Sequence, residues 1–205
     1  MRKIAANLVF PISKPPVKNG YLVLSDEGEV LDVCGGGETL HEIAGLEFYS
    51  GILVPGFVIA HCRLELSHLK GQIPEGIGIP EFIKQITLLR GQNPDNIEKE
   101  TEKALRYMWS QGISVLGNII TTNKTIALKR SSSMVDELIT MQKNFPEIPF
   151  NELILWATLN GARALGMEAE YGSFEKGKKP GVLLITGFDF KNNRLTDSAE
   201  VARLV

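Results

Sequence analysis

The chain has 205 residues, 43 % hydrophobic and 22 % charged, enough apolar material for one large globular unit or two small ones with a true core. Its 22 basic and 24 acidic residues nearly cancel and lie interspersed, which argues against nucleic acid or an anionic membrane surface as a partner. The longest apolar run, GILVPGFVIA, is cut by glycine and proline well short of the ~20 residues of a membrane span, and the two cysteines, Cys34 and Cys62, form no disulfide framework.

In chain order, MRKIAANLVFPISKPP starts basic, but its apolar run stops at Pro11, too short for a secretory h-region; a cytoplasmic protein is expected. ANLVF is a strand candidate. YLVLS and EVLDVC are β-rich runs around Asp26-Glu27-Gly28, where Gly28 can take the positive φ of a short hairpin loop. The run Gly35 to Gly37 has no Lys-Ser/Thr after it and no adjacent helix start, so it reads as a turn rather than a phosphate loop. His41, beside Glu42 and turn residues, reads as a surface histidine.

LEFYSGILVPG is the next strand candidate, followed by a strand from Phe57 to Leu64. Period-two geometry then puts His61, Arg63 and Glu65 on one face, near the C-terminal end where parallel α/β folds collect their active sites. The same pattern fits an interior arginine paired to Glu65 with His61 hydrogen-bonded nearby, and spacing does not choose between them. Cys62, on the opposite face, reads as a small buried residue.

From Pro80 the pattern turns helical. Phe82, Ile83, Ile86 and Leu89 share a face of a helix ended by Gly91. Asn93 as cap and Pro94 at the first helical position open a second, with Ile97, Thr101, Ala104, Leu105 and Met108 on one stripe and a stop at Gly112. ISVLGNII follows as a buried β-branched run, the rhythm of an α/β protein with parallel strands. Ser133 can cap MVDELITMQKNF and Asn151 can cap ELILWATLNGARALG, which Gly166 ends. Trp109 and Trp156 lie at helical spacing with apolar neighbours and are expected in the core, whereas Lys176, Lys178 and Lys179 form a solvated turn. YGSFEKGKKPGVLLITGFDF and SAEVARLV return to β structure, so both termini are expected to build one β unit flanking an α/β middle.

Two of these stretches together resemble the amidohydrolase superfamily. GILVPGFVIAHCRLELSHLKG resembles its first barrel strand, in which Pro-Gly-Phe leads into a His-x-His pair that binds a catalytic divalent metal. WATLNGARALGMEAEYGSFEKGKKPGVLLI resembles its last helix and the return into a β-sandwich. The resemblance implies an α/β fold, with a partial (β/α) barrel over residues 55–171 and a composite β-sandwich from residues 1–54 and 172–205. It also implies a deaminase-like hydrolase of carbon–nitrogen bonds other than peptide bonds, acting on a small-molecule substrate with zinc or iron activating a water.

Position by position the match is partial. His61 stands at the first ligand, but Arg63 stands at the second, and a guanidinium has no lone pair to offer a cation. The three histidines are His41, His61 and His68, so none remains for the ligands that later strands supply in the superfamily. Neither Asp136 in MVDEL nor Asp197 in the terminal β segment has the setting of its aspartate ligand. Glu65 and His68 match positions that face the substrate in related deaminases, and Arg63 could meet an anionic ligand in place of the metal's charge; no catalytic residue is assigned.

Pro55 to Tyr171 is 117 residues, room for fewer than four βα units at roughly 30 residues each, where a full barrel uses ~250. The resemblance covers about residues 1–123 and 131–205 and skips most of the barrel, with the join near TTNKTIALKRSSSMVDEL. It therefore implies an incomplete metal site and impaired activity. The alternative is a non-catalytic remnant acting as a binding or oligomerising module, in which a second copy would cover unclosed strand edges.

Overall fold

Strand β1 (Arg2–Val9) carries Ile4, Ala5 and Ala6 fully buried in succession, a pattern that only a strand covered on both faces tolerates. The computed structural model, which describes residues 1–35, 37, 43–74, 76–89, 94–118 and 133–205, places it inside a seven-stranded sheet. Strands β2 (Val17–Lys18), β3 (Tyr21–Leu24) and β4 (Val30–Cys34) follow, with Gly28 at φ +77° in the β3–β4 hairpin as its turn requires. β1 lies antiparallel to β3 and parallel to β5 (Leu46–Pro55).

The other end of the chain completes the same sheet. β8 (Val182–Ile185) pairs antiparallel with β5, and β11 (Val201–Arg203) with β8, giving the order β11-β8-β5-β1-β3-β4 with β2 on β1. Both termini thus contribute strands to one sheet. Alternate residues of β5 and β8 feed two cores. Ile52, Val54, Leu183 and Ile185 face one side; Leu53, Val182 and Leu184 join Ile4, Leu22, Leu24 and Phe174 on the other.

Helices cover the first side. α3 (Met134–Asn144) starts at Ser133, whose side chain accepts the Asp136 N–H while the Asp136 carboxylate accepts the Ser133 N–H, a reciprocal capping box. α4 (Phe150–Leu155) continues through a π-helical turn (Trp156–Asn160) into α5 (Gly161–Ala164). Its cap position is Pro149, without a side-chain hydrogen bond, not Asn151: a preset φ starts this helix two residues earlier. Phe10, Phe150 and Phe188 meet edge to face at 5.1–6.1 Å, joining the end of β1, the start of α4 and the short strand β9 (Phe188–Asp189), which pairs with β10 (Arg194–Leu195).

A separate parallel pair follows β5 after one residue. β6 (Phe57–Cys62) pairs with β7 (Ile113–Asn118), and between them run α1 (Gly78–Leu89) and α2 (Pro94–Ser110). This is the expected crossover unit. Gly56, at the switch from β5 to β6, has no room for a side chain: a Cβ would overlap Ser114 Oγ and the Pro180 carbonyl. Among the described residues no helix is long and apolar enough to cross a membrane.

Three expectations need correction. Trp109 and Trp156 are 55 % and 40 % exposed rather than in the core. Lys178 is not merely solvated: its side chain is largely covered and its ammonium meets Glu175 Oε2 at 2.5 Å and Ser173 Oγ at 2.8 Å. Cys62 is only partly buried, at a strand end rather than within it, and neither cysteine is in a disulfide. His41, Gly36, Gly91, the Asn93 cap and the join at residues 119–132 lie outside the described residues.

Candidate functional site

The end of β6 is where the candidate residues gather, and it ends earlier than alternation suggests. The strand stops at Cys62, and a 3-10 helix (Leu64–Leu69) begins two residues later. Arg63, at φ −136° and ψ 83°, is the only residue between them, so His61, Arg63 and Glu65 do not share one strand face. His61 is exposed, whereas Arg63 is 8 % and His68 7 % exposed. The Glu65 side chain lies outside the described residues, although its backbone belongs to the 3-10 helix.

Local hydrogen bonds explain why the chain turns here. Cys62 lies opposite Asn118 in the parallel register, and the Leu64 N–H donates to Asn118 Oδ1 at 3.1 Å. The Thr101 hydroxyl of α2 donates to the Leu64 carbonyl at 3.2 Å, and the Leu66 N–H donates to the Arg63 carbonyl at 3.3 Å. The turn then buries Leu66 and Leu69 against Ile86, with Phe82 and Leu89 beside them. On the other flank, Gly161 of α5 packs so closely that a Cβ would lie 2.7 Å from the Val58 carbonyl. The sequence reading does not single out Asn118 and places Thr101 only on the α2 stripe: their signal is a polar residue closing an apolar strand and one breaking an apolar helix stripe.

Two further polar constellations lie away from this end. Arg203 is held by Ser114 Oγ at 3.2 Å and the Ile113 carbonyl at 3.1 Å, with its guanidinium carbon 3.7 Å from the Trp109 ring centroid; burial pulls its pKa below the ordinary arginine value. The Lys178 ammonium and then the Ser173 hydroxyl hold the Glu175 carboxyl below the usual carboxylate range. In the shallow cleft between Pro146 and the β9–β10 hairpin the polar groups already serve one another: Arg194 donates to the Gln142 and Pro146 carbonyls, and Asp197 pairs with Lys143 at 2.8 Å.

The donors at the end of β6 do not fit a metal centre of the kind the resemblance implies. Among the described residues no three His, Cys, Asp or Glu side chains gather, and the sequence has no histidine after His68. Arg63 offers donors where a second ligand would need a lone pair.

Comparison with known proteins gives these elements a lineage. The profile of the amidohydrolase family matches residues 95–203, from the start of α2 to the end of β11 and more than half of the chain. The 5-methylthioadenosine/S-adenosylhomocysteine deaminase of Moorella thermoacetica is 50 % identical over 38 residues, 18 % of this chain and only 9 % of that protein. Among solved structures, an adenosine deaminase from Xanthomonas campestris with bound zinc aligns at a TM-score of 0.62 and 12 % identity, over 89 % of this chain and 84 % of that one. E. coli guanine deaminase aligns at a TM-score of 0.57 and 10 % identity, over 91 % and 89 %. At such identities the two structures speak for the fold alone. The family match takes in α2, β7 and the closing strands together, and on it the chain belongs to the amidohydrolase family.

Proposed function

We propose that this chain is, by descent, a deaminase-like hydrolase of carbon–nitrogen bonds other than peptide bonds, with a metal site it does not complete by itself and impaired turnover. The observation that carries the reading is the family match over residues 95–203, supported by the deaminase segment of 38 residues at 50 % identity. In this reading residues 55–171 are a partial (β/α) barrel and residues 1–54 and 172–205 a composite β-sandwich. The substrate is a small molecule bearing a ring amine, met by Glu65 and His68 on the 3-10 helix. His61 is the one remaining ligand position for zinc or iron, and the setting is cytoplasmic. The donor shortage around His61 favours one alternative, a non-catalytic module that binds or oligomerises.

The test is an ammonia-release assay on adenosine-, guanine- and cytosine-like compounds with and without zinc, run beside ligand-observed binding of the same compounds. Binding that His68→Ala abolishes, without release above the uncatalysed rate, is expected. Neither binding nor release leaves the non-catalytic module standing; zinc-dependent multiple turnover shows the site to be complete after all.

A further inference from the structure

We infer that the end of β6 is closed by Arg63 and Asn118 in place of a metal ion, and that Arg63 keeps a divalent cation away from His61. The inference deepens the reading above and rests on it only for the equivalence of positions 61 and 63 with a ligand pair. The first observation is the contrast between the two residues: His61 is exposed, while Arg63 is 8 % exposed at the single-residue joint between β6 and the 3-10 helix. A side chain as long as arginine is covered to that degree only when the surrounding segment is built around it.

The second observation is what binds the strand ends. In a metal site, coordination to side chains would tie adjacent strand ends together. Here the tie is made of protein hydrogen bonds: the Asn118 side chain reaches from the end of β7 to the Leu64 N–H, and Thr101 reaches from α2 to the Leu64 carbonyl. The Leu66 N–H closes the 3-10 turn on the carbonyl of Arg63 itself.

The third observation is charge. Residues 61 and 63 are two apart, about 6–7 Å between their Cα atoms along an extended chain, so the guanidinium adds like charge to the neighbourhood of any cation on His61 and cannot ligate it. Among the described residues no cluster of three or more ligating side chains exists to offset that repulsion.

Metal content by elemental analysis and thermal unfolding test this on the full chain, independently of any ammonia assay. The expected result is less than stoichiometric zinc after purification in zinc, and a Tm that zinc and EDTA each move by no more than ~1 °C. Arg63→Met should lower Tm by ~4 °C or more. Arg63→His, if folded by circular dichroism, should gain at least ~10-fold in zinc affinity over the parent chain, without gaining turnover. One tightly held zinc per parent chain overturns the exclusion, and an unchanged Tm in Arg63→Met overturns the structural role of Arg63. A folded Arg63→His with no gain in zinc affinity overturns the exclusion. Should both variants fail to fold, the parent chain's own zinc content and EDTA response still decide.

Discussion

Arg203 is one residue from the last strand that fastens three elements: its guanidinium stacks on Trp109 of α2 and donates to Ser114 and Ile113 at the start of β7. Stacking leaves the ring exposed yet used, which is why an aromatic at helical spacing need not be core. Arg203→Met should cost roughly 2 kcal/mol, read as a lower urea midpoint at unchanged m-value. Glu175 carries a pH prediction. Its carboxyl titrates below the ordinary glutamate value of 4.5 in the folded chain because Lys178 and Ser173 hold the charged form. Its contribution is therefore complete above that value and lost as pH falls through the lower, folded one. Glu47, held by Arg2 and then Tyr49, has the same sign. Tm should stay level from neutral pH to about 4.5 and then fall, with a shallower acid limb in Glu175→Gln; a limb of unchanged steepness counts against the pairing.

Among the elements, α3 shows most directly how local sequence sets a boundary. Ser133 and Asp136 exchange side-chain and backbone hydrogen bonds, a signal readable from SxxD ahead of an apolar run. Ser133→Ala should cost about 1 kcal/mol in urea denaturation, whereas Asn151→Ala, at a position that looks like a cap but is not one, should cost under ~0.5 kcal/mol. The β5–β6 switch is of another kind. Gly56 is excluded from bearing a side chain by Ser114 and by the backbone of Pro180, two segments far from it in sequence. Gly56→Ala should therefore destabilise by several kcal/mol, and Gly56→Ala with Ser114→Gly should recover only part of the loss, because the Pro180 carbonyl stays in the way.

For the whole molecule, the parallel pair β6–β7 is the exposed weakness: among the described residues neither strand pairs with any other, and parallel sheets are stable when both faces and edges are covered. Ile79 and Leu88 on α1 and Leu105, Tyr107 and Trp109 on α2 are all more than 40 % exposed around it. The proposal that a second copy covers these edges predicts concentration-dependent association by light scattering after size exclusion. A mass equal to 22.6 kDa across the accessible range would refute it.

Much of this architecture is legible in the chain itself, because it rests on short-range chemistry. The β3–β4 hairpin follows from Gly28, the α3 start from Ser133 and Asp136, the crossover unit from helix periodicity with Gly112 as a stop, and the union of both termini from β-rich runs at each end. What needed the tertiary structure were facts set by segments distant in sequence. Asn118 and Thr101 draw the chain into a 3-10 turn after Cys62, which ends the strand before alternation can bring Glu65 to its face. The same packing buries Arg63 and leaves His61 in solvent. Spacing along a strand determines which side chains are eligible to meet; only the contacts of the neighbouring elements decide where that strand stops, and hence which of them do.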